Sequence, residues 1–166
     1  MAALGKALPP NVNVGESWEV ADLDATSPSG GGGGAEHSVI LNGGMAGKTL
    51  RQAVKDWGTM LLGPARATPD GGFPLLVKYL DARQNLSVQV HPSPAYLKAH
   101  PDEKAHLKTE SWYVLDAAPG SVLYKGTKPG ISAPTFAKHV EQQTVADDFF
   151  FNDAATTEIY SLSRHD

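Results

Sequence analysis

The residues hardest to explain by packing alone lie in two short segments. In Ser87-Val88-Gln89-Val90-His91, apolar and polar side chains alternate. Side chains on a strand point to opposite faces in turn, so Val88 and Val90 can pack inward while Ser87, Gln89 and His91 share the other face. An amide and an imidazole then stand about 7 Å apart, two residues of strand rise, and the pair can converge on one metal ion. In Lys108-Thr109-Glu110-Ser111-Trp112-Tyr113 the same alternation groups Lys108, Glu110 and Trp112. A cation, a carboxylate and a large aromatic suit a site for a metal and a polyhydroxylated, negatively charged ligand. Each segment also has a plainer reading. The first is equally the solvated face of a half-exposed strand, and the second a surface Lys–Glu pair of little energetic weight beside an exposed tryptophan.

These groups need a frame. Thr49 to Leu62 predicts a helix: Thr49 can cap it, Leu50, Val54, Trp57, Leu61 and Leu62 form one stripe, and Gly63-Pro64 ends it. Trp57 reads as a core residue. Phe73 to Leu80, apolar apart from Lys78, predicts a buried strand, and Leu86 to His91 a second. Pro92 to His100 predicts a loop and a short helix. Thr109 to Leu115 and Val122 to Tyr124 predict two further strands around a turn at Ala117 to Gly120. Ser132 to Val140 predicts a helix, with Ser132 as cap and Pro134 in its first turn. Short strands separated by turns predict a mainly β architecture with a few helices. The run Gly30 to Gly34 after Ser27-Pro28-Ser29 is a flexible loop, without the Lys-Ser/Thr of a phosphate-cradling loop.

Composition narrows the function classes. With 166 residues, the chain can form one domain with a real core. Hydrophobic residues at 41% and charged residues at 19% fit a soluble globular protein. Eighteen acidic against 14 basic side chains give a net charge of -4, which argues against a nucleic-acid-binding surface and leaves room for a local basic pocket. Without cysteine, thiolate metal sites and disulfides are excluded, so any metal must take His, carboxylate or amide ligands. No apolar run spans a membrane and no signal peptide opens the chain, so a cytoplasmic location is expected. His100 and His106 fall in a charged, solvated loop, and His37 and His139 read as surface or boundary residues.

Five segments, in order, resemble type I phosphomannose isomerases: Gly15-Glu16-Ser17-Trp18-Glu19-Val20, Ala46-Gly47-Lys48-Thr49-Leu50, Phe73-Pro74-Leu75-Leu76-Val77-Lys78, Leu86 to Pro92, and Lys108 to Asp116. The resemblance covers about Leu4 to Val145. It implies a cupin, a jelly-roll-like β-barrel with a metal in its mouth, and interconversion of mannose 6-phosphate and fructose 6-phosphate. By position it implies Gln89, His91 and Glu110 as zinc ligands, and Lys108 as a catalytic, substrate-contacting lysine. Glu16, Ser17 and Trp18 match a motif near the sugar pocket. The chemistry agrees. Zinc takes nitrogen and oxygen ligands and keeps an open position when catalytic, and fixed positive charge would stabilise an enediolate. To act as the base, Lys108 would have to be discharged more easily than a solvated lysine. The partner implied is a small sugar phosphate, with no nucleic acid or membrane and no oligomeric state fixed.

The pattern breaks at both ends. The family begins with an upstream strand, and it continues into returning strands that carry a further His ligand and a substrate-binding Arg. The expectation is therefore an incomplete cupin over 1–148, inactive as it stands. A tail over 149–166 reads as translated sequencing-adapter DNA, and His165 there is not a ligand. Two rivals remain: a sugar-binding or regulatory cupin without chemistry, and a metal-dependent dioxygenase, whose iron site relies on more histidines.

Overall fold

The computed structural model describes residues 4–24, 35–84, 86, 89, 91–101, 107–145, 149–153 and 159–161. The chain divides into two compact units, one formed by Met1–Val90 with Lys104–His106, the other by His91–Glu103 with Leu107–Asp166.

In the first unit, β1 (Glu16–Val20) runs antiparallel to β4 (Val77–Leu80), with Glu16 opposite Leu80, Ser17 opposite Tyr79 and Trp18 opposite Lys78. A register shift follows between Trp18 and Val20. Strand alternation splits this ribbon. Glu16, Trp18 and Lys78 share one face, joined by hydrogen bonds from Trp18 Nε1 (2.9 Å) and Lys78 Nζ (3.3 Å) to Glu16. Ser17, Glu19 and Tyr79 take the other face. There Ser17 Oγ donates to Glu19 at 2.7 Å, Lys6 pairs with Glu19, and the Lys6 ammonium sits 5.5 Å from the Tyr79 ring centre.

A second antiparallel pair, β2 (Asp22–Leu23) and β3 (Glu36–His37), leads through a 3-10 turn at Gly43–Met45 to α1 (Leu50–Trp57) and α2 (Thr59–Leu62). Thr49 opens α1 with a reciprocal capping box. Its hydroxyl accepts from the Gln52 N–H at 3.2 Å, and the Gln52 side chain accepts from the Thr49 N–H at 2.9 Å.

Among the described residues of this unit, the buried hydrophobic residues are Ala21, Leu23, Met45, Ala53 and Val54, and the buried charged one is Asp22, at 2% exposure. A buried charge persists only if it is paired and hydrogen-bonded. Asp22 Oδ1 accepts from Arg51 Nε at 2.9 Å and lies 2.7 Å from His37 Nδ1, and Oδ2 accepts from the Phe73 N–H at 2.7 Å. Arg51 continues to the Asp70 carbonyl at 2.7 Å and the Asp70 carboxylate at 3.0 Å. One side chain thus ties β2 to β3, to α1 and to the 68–73 turn. Glycine at position 72 leaves room for this contact, since a Cβ there would stand 2.7 Å from Arg51 Nη2 and 2.9 Å from Thr68 Oγ1.

The second unit contains α3 (Pro94–Ala99), β5 (Ser111–Tyr113), β6 (Val122–Thr127), α4 (Ala133–Glu141), β7 (Phe149–Asp153) and β8 (Ile159–Ser161). β5 pairs with β8 and β6 with β7, both antiparallel. Ser93 caps α3 and Ser132 caps α4, each accepting from a backbone N–H three residues on.

Several expectations are corrected. The helix expected over 49–62 breaks at Gly58, where φ is 49°. Trp57, the last residue before the break, is 45% exposed and not in the core. The strand expected from Phe73 begins only at Val77, because Pro74 cannot donate to a ladder, and Val77 and Leu80 remain partly exposed. Of the strand expected over 86–91, residues 87, 88 and 90 lie outside the described ones, and Leu86, Gln89 and His91 belong to no strand. The strand expected over 109–115 contracts to β5, and that over 122–124 lengthens to β6. Two strands of the segment read as foreign, β7 and β8, pair with strands of the second unit.

Replacing Asp22 with Ala should cost about 3 kcal/mol in urea unfolding, because Arg51 and the Phe73 N–H lose their acceptor. A loss below about 1 kcal/mol would show that the network is dispensable. Asp70 adds a pH signature. Its hydrogen bond from Thr68, opposed by desolvation and reinforced by Arg51, holds its carboxyl below the ordinary value. That stabilisation is full above the unfolded value, near about 4, and is lost as pH falls through the lowered native value. Asp70→Asn should therefore flatten the decline of the urea midpoint on the acid side, and an unchanged slope would contradict this.

Candidate metal centre

His91 opens the second unit, three residues before the capped helix α3, and Glu110 stands immediately before β5. Their side chains meet: His91 Nε2 lies 3.4 Å from Glu110 Oε2, with the two side chains only 12% and 13% exposed. Lys108 Nζ reaches the same oxygen at 3.0 Å. Trp112 Nε1 donates to the other oxygen, Oε1, at 3.0 Å. The face expected to gather Lys108, Glu110 and Trp112 is thus present, although Lys108 and Glu110 lie outside the strand proper.

Hydrogen bonding around this carboxylate is uneven. Among the described residues, two buried side-chain polar atoms have no hydrogen-bond partner, His91 Nδ1 and Glu110 Oε2. Lys108 and His91 are close to Oε2, but neither is aligned to donate to it. Burial pushes the Glu110 carboxyl up. The Trp112 bond, the Lys108 ammonium and the nearby His91 outweigh burial and hold it below the ordinary carboxylate range.

The donor set fits zinc. Ligands at about 2.0–2.1 Å and tetrahedral angles leave ligand atoms about 3.3–3.4 Å apart, the spacing found between His91 Nε2 and Glu110 Oε2. An imidazole, a carboxylate and orphaned buried lone pairs are what a hard-to-borderline cation uses. Among the described residues no group of three or more His, Asp or Glu gathers. Gln89 is described and exposed, and belongs to the first unit.

The other expected residues fall as follows. Glu16 and Trp18 share a face with Lys78, and the Trp18 bond, against slight desolvation and with Lys78, lowers the Glu16 carboxyl. Ser17 points the other way, toward Glu19, so Glu16, Ser17 and Trp18 do not form one cluster. Trp18 borders a depression of about 380 Å³ with Ala21, Glu36, His37 and Ser38. A wider depression, about 640 Å³, lies beside α1 and α2 and touches none of the expected ligands. His100 stacks on Tyr96, with ring centres 4.2 Å apart. His106 and His165 lie outside the described residues. Sequence reasoning missed Asp22, Arg51 and Asp70. The available signal was a carboxylate between apolar neighbours in Ala21-Asp22-Leu23.

A family model described as the catalytic domain of type I phosphomannose isomerase matches residues 33–122. The chain belongs to that family. Among its relatives, a probable mannose-6-phosphate isomerase of Bacillus subtilis (strain 168), GmuF, is 42% identical over 126 residues, covering 75% of this chain and 34% of that protein. A mannose-6-phosphate isomerase of Streptococcus mutans is 36% identical over 117 residues, 70% of this chain and 32% of that protein. The chain thus spans about a third of the length of the curated relatives it matches. The crystal structure of a mannose 6-phosphate isomerase from Bacillus subtilis superposes with a TM-score of 0.72 at 22% identity, over 95% of this chain and 45% of that one. At that identity the likeness speaks for the fold, a mainly β, partial cupin. Among the described residues no helix is long and apolar enough to cross a membrane.

Lys108→Met should raise the Glu110 titration point, because burial then faces less opposing charge. Carbon-13 NMR of the glutamate carboxyls reads this directly, and an unmoved Glu110 would show that Lys108 does not act on it.

Proposed function

We propose that this chain carries part of the metal site of a zinc-dependent aldose–ketose isomerase that interconverts mannose 6-phosphate and fructose 6-phosphate. His91, Glu110 and Gln89 are the protein ligands in this reading. The observation that supports it most is the contact between His91 Nε2 and Glu110 Oε2, 3.4 Å apart and nearly buried, with Oε2 left without an aligned donor. An ordinary ion pair at that depth would satisfy the oxygen.

Bound there, zinc supplies Lewis-acid polarisation of the sugar oxygens. The chain's own residues do the rest. His91 and Glu110 hold the cation from two points of the second unit. Lys108 pairs with the carboxylate at 3.0 Å and, with its side chain 32% exposed, also faces outward. It places positive charge beside the sugar phosphate and stabilises the enediolate formed as a proton moves between C2 and C1.

Because the chain spans a third of its relatives' length, binding is the property to test. Calorimetric titration should show one zinc per chain, with affinity falling at least about tenfold in each of His91→Ala, Glu110→Ala and Gln89→Ala. Mannose 6-phosphate should bind the zinc-loaded chain more weakly when Lys108 is replaced by Met, while zinc affinity does not fall, because the ammonium removed lies on the same carboxylate oxygen. Zinc binding indifferent to all three ligand substitutions would overturn the reading.

A further inference from the structure

We infer that Trp112 is a positioning residue for the metal-binding carboxylate: its indole N–H occupies Oε1 of Glu110 and leaves Oε2 as the ligand atom. This rests on the metal-site reading above. Glu110 lies just outside β5, so the ladder that fixes Trp112 opposite Tyr160 does not extend to it. Its carboxylate therefore needs a side-chain bond to fix its rotation. Trp112 provides one at 3.0 Å. An indole N–H is only a donor, so it can hold one oxygen without competing for the cation. Oε2 is then turned toward His91 Nε2, at 3.4 Å, and is buried with no aligned donor.

The chain contains its own control. Glu16-Ser17-Trp18 repeats the Glu-Ser-Trp triplet of 110–112, and Trp18 Nε1 donates to Glu16 Oε1 at 2.9 Å. The bond joins residues i and i+2 in each triplet. The difference lies in the second oxygen. Glu16 Oε2 is in an exposed setting and accepts from the cross-strand Lys78 at 3.3 Å, whereas Glu110 Oε2 is buried, has Lys108 Nζ at 3.0 Å and also faces the His91 imidazole at 3.4 Å. The same local device thus makes an ordinary surface pair at one triplet and an oriented ligand at the other.

Zinc affinity is measured by competition with a chelating dye for the unchanged chain, Glu110→Ala, Trp112→Phe and Trp18→Phe, with far-UV circular dichroism as a fold control. Trp112→Phe, which keeps the ring and loses the N–H, should weaken zinc binding about tenfold, while Trp18→Phe should stay within about twofold. Affinity that Glu110→Ala leaves intact overturns the metal-site reading itself. Affinity that needs Glu110 but ignores Trp112→Phe overturns the positioning role alone. If Trp112→Phe fails to fold, the indole N–H resonances of the unchanged chain decide. Zinc should shift that of Trp112 and not that of Trp18, and a still Trp112 resonance overturns the inference.

Discussion

The first unit depends on one buried negative charge. Asp22 sits at 2% exposure in a unit whose buried apolar residues, among those described, are Ala21, Leu23, Met45, Ala53 and Val54. The carboxylate supplies direction that apolar contacts lack. Both of its oxygens are met: by Arg51 and His37 on one side and the Phe73 N–H on the other. Each contact comes from a different piece of chain, so charge satisfaction in β2 dictates where β3, α1 and the 68–73 turn lie. Such a group adds specificity more than net stability, since desolvation offsets much of the attraction. Removing it is costly because its partners are left behind.

Glu110 in the second unit meets the same physics with a different outcome. It too is mostly buried and faces cations, yet only one of its oxygens is hydrogen-bonded. Asp22 is a finished structural network. Glu110 is an unfinished one, and an unsatisfied buried acceptor is costly unless a missing group completes it. The contrast between two buried carboxylates in one chain separates architecture from chemistry more sharply than exposure or charge alone.

Much of the local structure was legible in the sequence. The caps at Thr49 and Ser132 follow from side chains that compete for free N–H groups, and the i, i+2 grouping of Lys108, Glu110 and Trp112 follows from strand alternation. The errors trace to long-range or backbone effects. Trp57 was expected inside, but Gly58 turns the helix at that point. Pro74 shortened a strand that hydropathy alone extended. Ser17 was grouped with Glu16 and Trp18 through the family motif they match, although neighbours on a strand face apart. The Asp22–Arg51 bond joins residues 29 positions apart, and nothing local announces such a partner. β7 and β8, in the segment read as foreign, pair with β6 and β5. Backbone pairing asks little of side-chain identity.

The central claim is that His91 and Glu110 face each other in order to share a cation. Long-range proton–nitrogen NMR of the imidazole rings during zinc addition tests it most directly, because the six histidines report separately. The account predicts that a His91 ring nitrogen moves to a metal-bound shift while the other five rings hold theirs. A His91 that stays put while zinc settles on another histidine would contradict it.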